Sequence, residues 1–208
     1  MFSPAVGSLT NMYKITLALL IPLTAAACAV SRVDPLSVPL AYRANAKNVG
    51  LLGGLSCSAV SQVQVQDART QKTLGTRVHE SKPLRADATA GSDPASWVGD
   101  GVQSVLRQNG FSTQGGGPSL VVMLDSLHTV ESIWHRSSYD ARISLTGELR
   151  STAGKVCWKG SVEGQGGNYG YSGSIVDYQE TLNAALDSAT SNMILAPGFK
   201  DALCHCAD

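Results

Sequence analysis

Tyr139-Asp140-Ala141-Arg142-Ile143-Ser144-Leu145-Thr146-Gly147-Glu148-Leu149-Arg150 decides the fold class. Ala141, Ile143, Leu145, Gly147 and Leu149 fall on one side of an extended chain, and Arg142, Ser144, Thr146, Glu148 and Arg150 on the other, because successive strand residues point to opposite faces. A turn at Ala153-Gly154 follows. Residues 155–163 then alternate again, Val156, Trp158, Gly160 and Val162 against Cys157, Lys159, Ser161 and Glu163. Two alternating strands across a short turn predict an antiparallel hairpin with one packed and one wet face. Ile143, Leu145, Val156 and Trp158 are its expected buried residues, and Lys159 belongs to the wet face.

Upstream of the hairpin, Gly115-Gly116-Gly117 leads into Leu120-Val121-Val122-Met123-Leu124, a continuous apolar run that reads as a central strand, with residues 125–134 as its candidate continuation. Asp93-Pro94 is a cap followed by proline at the first helical position; Val98, Val102, Val105 and Leu106 then recur at helical spacing until Asn109-Gly110. This predicts a helix over 94–109. Gly99 and Gly101 inside it each cost up to about 1 kcal/mol relative to alanine, and close approach to a sheet is the expected reason for both. Val63 and Val65 between Gln62, Gln64 and Gln66 predict a strand over 59–67. A second strand is expected near 76–85. After the hairpin, Tyr178, Leu182, Ala185, Leu186, Ala189 and Met193 mark a helix of about 18 residues that ends before Pro197. A short terminal turn carries Phe199 and Leu203. The order of elements predicts an α+β fold, a two-layer sandwich in which two amphipathic helices cover one face of a mainly antiparallel sheet.

The N-terminus carries a separate signal. Lys14 precedes the apolar run Ile15-Thr16-Leu17-Ala18-Leu19-Leu20-Ile21-Pro22-Leu23, and Thr24-Ala25-Ala26-Ala27-Cys28 follows. A positive start, a short apolar run and small residues are the three parts of an export signal, assigned to 1–27. The eleven residues before Met12 carry no positive charge, so Met12 is an alternative start. Ala25-Ala26-Ala27-Cys28 resembles the lipobox of bacterial lipoproteins, with alanine at 25 where leucine is usual. That resemblance implies cleavage before Cys28, a diacylglyceryl thioether on its sulfur and a third acyl chain on its amino group. Several chains on one residue make a stable membrane anchor, since each buried CH₂ contributes about 0.8 kcal/mol. Ala29 is not the aspartate associated with inner-membrane retention, so the expected location is the periplasmic face of the outer membrane. Soluble secretion after cleavage near Ala27, or an uncleaved anchor, are the competing readings. Residues 28–56, with Pro35, Pro39 and Gly53-Gly54, read as the lipidated cysteine and a tether with a short edge strand around 38–42. Residues 57–208 are of a length for one periplasmic domain.

Sixteen basic and sixteen acidic residues cancel, and aromatics are only 6% of the chain, so neither a nucleic-acid footprint nor a basic patch is indicated. Beyond Cys28 stand Cys57, Cys157, Cys204 and Cys206. In an oxidising compartment they read first as disulfides, for which three pairings exist. At least one bond is expected between the Cys204/Cys206 segment and Cys57 or Cys157. Cys204-His205-Cys206 also has the look of half a soft metal site, without a second Cys/His pair near it in sequence.

Gly164-Gln165-Gly166-Gly167-Asn168-Tyr169-Gly170-Tyr171-Ser172-Gly173 lacks both the Gly-Lys-Ser/Thr ending of a phosphate-binding loop and the dinucleotide glycine spacing. It reads as a flexible loop in which Tyr169 and Tyr171 are candidate partner contacts. Ser172 stands one residue off a nucleophile elbow. His79, His128, His135 and His205 are isolated from one another in sequence. Asp177 and Glu180 read as helix N-terminal charges and Glu148 as a strand-surface charge. No catalytic residue, cofactor or metal is expected, and the chain is not expected to be an enzyme.

The lipobox, Asp67-Ala68-Arg69 at a strand end, the helix from Trp97 to Asn109-Gly110-Phe111, the strand ending at Asp125, and Val162-Glu163-Gly164 together resemble the YajG-like family of bacterial lipoproteins. The likeness spans about residues 50 to 203 and departs at Cys204-His205-Cys206 and the glycine-rich segment. It implies outer-membrane association without an enzymatic activity to carry over. The expected function is a membrane-anchored, non-catalytic binding or envelope-assembly factor. An auxiliary lipoprotein of a lipid or solute transporter and a cell-wall hydrolase are the alternatives.

Overall fold

The alternating hairpin lies within a seven-stranded sheet in the computed structural model, which describes residues 32–44, 50, 51, 53, 57, 60–112 and 116–206. The export signal, Cys28, Ala29, Gly54, Ala59 and Gly115 lie outside the described residues. In chain order the elements are β1 (Leu36–Val38), β2 (Val63–Asp67), β3 (Thr73–His79), β4 (Arg85–Ala90), α1 (Pro94–Gln108), β5 (Ser119–Ile133), β6 (Ser137–Arg150), β7 (Val156–Gly170), α2 (Ile175–Leu195) and α3 (Phe199–His205). The sheet runs β1-β4-β3-β5-β6-β7, with β2 also against β5.

β5, β6 and β7 form an antiparallel meander, and β3 pairs antiparallel with β4. The pairs β1/β4, β2/β5 and β3/β5 are parallel. The sheet is therefore mixed, which corrects the expectation of a mainly antiparallel one. Alternation assigns a side chain to a face and says nothing of strand direction; here α1 carries the chain back so that β5 enters parallel to β2 and β3. Those two strands share one edge of β5, β2 beside Leu120–Leu124 and β3 beside Thr129–Ile133. Between them the strand breaks at residues 68–72, opposite an irregularity in β5 between Leu124 and Ser126. Arg69 closes the break by donating from Nε and Nη2 to the two carboxylate oxygens of Asp67, each at 2.9 Å. That hydrogen bonding from Arg69 holds Asp67 well below the usual carboxylate range.

The single strand expected near 76–85 is instead the hairpin of β3 and β4, turning at 80–84. Val156 is 47% exposed, whereas Trp158, Ile143 and Leu145 are buried as their alternation requires. The register slips here: Leu149 pairs with Trp158 but Arg150 with Val156, which leaves Cys157 as an extra residue and puts Val156 out of phase.

Asp93 caps α1, accepting from Ala95 N at 3.3 Å and Ser96 N at 3.0 Å, and Val98, Val102, Val105 and Leu106 are buried. A Cβ on Gly101 would meet Leu186 Cδ2 of α2 at 2.5 Å, whereas one on Gly99 would meet Val65 of β2 at an ordinary 3.5 Å. The close neighbour is thus the other helix, and only Gly101 needs its missing side chain. Trp97 Nε1 joins the helices by donating to Asn183 Oδ1 at 3.0 Å. α2 begins at Ile175 behind Ser174, whose Oγ accepts from Asp177 N at 3.2 Å.

Residues 32–43, assigned above to the tether, belong to the folded body. β1 pairs with β4, Gln179 Nε2 donates to Pro39 O at 2.8 Å, and Asn183 Nδ2 donates to Ala41 O at 3.1 Å. The edge strand covers Leu36–Val38 rather than 38–42.

The C-terminal residues form the helix α3, not a turn, and two disulfides fasten it. Cys57 is bonded to Cys204, with Cα atoms 5.2 Å apart, and Cys157 to Cys206, with Cα atoms 5.6 Å apart. Cys204 and Cys206 therefore offer no thiolate to a metal. Trp158 packs edge-on against Phe199, ring centroids 4.9 Å apart, and donates from Nε1 to Pro197 O at 3.0 Å. Peptide mapping without reduction is expected to yield the pairs 57–204 and 157–206. Replacing Cys157 and Cys206 together with alanine is expected to cost about 2–3 kcal/mol in urea unfolding; an unchanged midpoint would contradict a structural role.

Candidate functional site

Glu131 is an acidic residue in an apolar phase: Leu127, Thr129 and Ile133 share its side of β5, and all are buried. Its carboxylate has no exposure, so each oxygen must find donors within the protein. Oε2 accepts from Arg77 Nε of β3 at 2.5 Å and from Tyr178 OH of α2 at 3.0 Å. Oε1 accepts from Gly173 N at 2.7 Å and from Tyr139 OH of β6 at 3.3 Å. Arg77 also donates to Asp34 O, 2.5 Å from Nη1, and Ser172 Oγ, 3.3 Å from Nη2. Tyr139 OH has one proton, which it shares between Glu131 Oε1 and the closer Tyr171 O, and it accepts from Ser174 N at 3.2 Å. Tyr139 and Tyr178 meet edge to face, centroids 4.9 Å apart.

Burial alone would raise the Glu131 pKa, but the hydrogen bonds from Arg77 and Gly173 N, with the Arg77 charge, outweigh it and hold it below the usual carboxylate value. Burial, reinforced by the Glu131 charge, pushes the Tyr139 hydroxyl up to about 12 and drives Tyr178 upward as well. Both tyrosines are neutral at pH 7, and each carboxylate oxygen has at least one undivided donor, Arg77 and Tyr178 for Oε2 and Gly173 N for Oε1. This is an arrangement for locking elements together, here β3, β5, β6, the segment at Asp34 and the turn between β7 and α2, rather than for moving protons.

The glycine-rich segment is a loop only at 171–173, the turn into α2; the expectation of a loop fails for residues 164–170. These continue β7 to Gly170, and α2 lies directly upon them. A Cβ on Gly164 would come within 2.1 Å of Ala185 O and 2.4 Å of Ala189 N; one on Gly166 would come within 2.2 Å of Thr181 O. The glycines are there because helix backbone occupies the place of their side chains. Tyr169, 77% exposed, stands near the end of β7, and Tyr171, 85% exposed, just beyond it. Asn168 Nδ2 bridges to Asp177 Oδ1 at 3.1 Å and Glu180 Oε2 at 3.0 Å, so these carboxylates hold the strand to the first turns of α2. Glu148 lies on the opposite face of the sheet, where hydrogen bonds from Lys159 and Arg150 lower its pKa.

The structure does not gather the residues weighed for catalysis. Ser172 Oγ faces Arg77, His79 Nδ1 meets Ser81 at 3.3 Å, His205 Nδ1 lies 3.0 Å from Asp201 O, and His128 is exposed on β5. Among the described residues no group of three or more His, Cys, Asp or Glu is placed to hold a metal. The cluster around Glu131 was missed by sequence reasoning; its one signal is a carboxylate where the alternation demands an apolar residue.

Among the described residues the fold is thus a mixed α+β domain, an open seven-stranded sheet with three helices. No family model and no curated protein matches the chain. Among solved structures it is similar to protein XCC0632 from Xanthomonas campestris, of the family DUF330, at a TM-score of 0.46 and 8% identity over 78% of this chain and 92% of that one. It is also similar to an uncharacterized protein at a TM-score of 0.32 and 11% identity, over 78% of this chain and 97% of that one.

Proposed function

We propose that the chain is a lipid-anchored lipoprotein of the bacterial envelope that works by holding a partner rather than by catalysis. The observation that carries this reading is β7, a 15-residue strand at the end of the sheet. A terminal strand offers outward backbone N–H and C=O groups to a further extended segment. Its outward carbonyl at Glu163 is taken by Asn192 Nδ2 at 2.7 Å, while Lys159, Ser161, Gln165 and Gly167 are exposed along the same strand. With α1 and α2 read as a layer over one face, as in a two-layer sandwich, the polar face and the β7 edge are the natural contact surface. The paired cysteines fit an oxidising compartment, the N-terminal motif fits lipidation at Cys28, and the YajG-like likeness points to the outer membrane.

Photo-crosslinking residues placed at Lys159, Gln165 and, as a control, exposed Arg107 on α1 test the surface in intact envelopes. One discrete product from the two β7 sites and none from Arg107 is expected. Equal yield at all three positions, or none, would contradict it.

A further inference from the structure

Six large apolar side chains stand exposed among the described residues: Trp134, Val156, Tyr169, Tyr171, Val176 and Leu195. Four of them gather at one end of the sheet. Trp134 lies in the turn between β5 and β6. The residues after that turn pair with the end of β7, Ser137 with Gly170 and Ser138 with Tyr169. Tyr171 follows directly, and Val176 is in the first turn of α2. The end of β3 completes the surface, with His79 paired to Ile133 and its ring centroid 6.3 Å from that of Trp134.

The chain enters the fold at this same end. Asp34 O is held by Arg77 Nη1, beside Ser172 and two residues before the end of β3, and Arg32 is paired with Asp34 at 2.9 Å. Four residue steps separate Arg32 from Cys28, which at full extension reach about 14 Å. A lipid on Cys28 is therefore tethered within about 14 Å of Arg32, at the end of the sheet where the chain enters.

We propose that this end of the sheet rests on the periplasmic surface of the membrane that holds the lipid, with Trp134, Tyr169 and Tyr171 seated among the headgroups. This inference rests on the lipid-anchor reading above. Tryptophan and tyrosine favour the interface because their rings are apolar and their N–H or O–H groups remain wet. Charge adds little: Arg32, Arg85 and Arg136 are exposed nearby, but so are Asp34, Glu80 and Asp140. The attraction comes from aromatic burial, made effective by the short tether, which keeps the surface at high local concentration beside the bilayer.

The test reconstitutes the mature full chain in vesicles of phosphatidylethanolamine and phosphatidylglycerol with brominated acyl chains. Trp97 and Trp158 are buried at 2% and 9% exposure, so Trp134 at 51% is the reporter. The brominated lipid is expected to quench a distinct part of the tryptophan emission, that part is absent in Trp134→Phe, and aqueous acrylamide loses access to it several-fold compared with detergent. Lipid present on Cys28 with unquenched, acrylamide-accessible Trp134 would overturn this orientation alone. The same result with Trp134 shielded only when envelope proteins are added would overturn it in favour of a protein partner. An N-terminal peptide mass without lipid would overturn the anchor and the orientation together.

Discussion

Replacing Glu131 with glutamine is expected to lower the stability of the fold by about 3–5 kcal/mol, the cost of leaving one member of a buried ion pair without its partner. The Arg77 and Glu131 side chains are 8% and 0% exposed, so water cannot compensate the stranded guanidinium. Glutamine also turns a donor toward groups that already donate, Arg77 Nε and Tyr178 OH. Combining Glu131→Gln with Arg77→Met should cost less than the two single changes added together, because the double variant holds no buried unpaired charge. Strict additivity in urea unfolding would mean that the pair is not coupled.

The same cluster contributes to both limbs of the pH profile, beside Asp67 and Glu148 on the acid side. Glu131 titrates below its ordinary 4.5 in the folded state, so the unfolded chain takes up the proton first as pH falls. Its stabilisation is complete above pH 4.5 and is lost as pH drops through the folded value. Tyr139 behaves oppositely: with its pKa raised from 10.0 to about 12, the folded chain keeps a proton that the unfolded chain gives up. Stability should fall as pH rises between 10 and 12. Urea midpoints across both windows should show two declines, and the acid decline should be shallower in Glu131→Gln. An unchanged acid slope would contradict the assignment.

Alanine at Gly164 or Gly166 is expected to cost more than about 3 kcal/mol, the upper end for overpacking, since the new methyl meets helix backbone rather than a side chain that could turn away. Distances of 2.1 Å to Ala185 O and 2.2 Å to Thr181 O require α2 to lift off β7. Gly167 is the internal control, because its nearest neighbours would lie at 3.7 Å. Gly167→Ala should change the midpoint little. A loss at Gly167 as large as that at Gly164 would place the helix wrongly.

These glycines also mark where local sequence ceases to inform. The β6–β7 hairpin was legible because alternation and a short turn with Gly154 are local signals, and α1 because Asp93-Pro94 and Asn109-Gly110 bracket its apolar stripe. The glycine-rich half of β7 carries no alternation of apolar side chains from which to read a face; its packing is written in α2, some twenty residues later, and Gln165-Gly166-Gly167 read as a loop. The parallel pairing of β2 and β3 with β5 depends on a return through α1 that no residue within those strands encodes. β4, Arg-Ala-Asp-Ala-Thr-Ala, hides because it lies near an edge and its alternation is of small against polar residues. Arg77 and Glu131, 54 residues apart, become partners only through that register.

The most direct measurement of the central proposal is the mass of the N-terminal peptide of the chain isolated from bacterial envelopes. The expected peptide begins at Cys28 and carries diacylglyceryl and acyl chains, and an unprocessed, unlipidated precursor is expected when Cys28 is replaced by serine. A mature N-terminus elsewhere, or Cys28 without lipid, would contradict it.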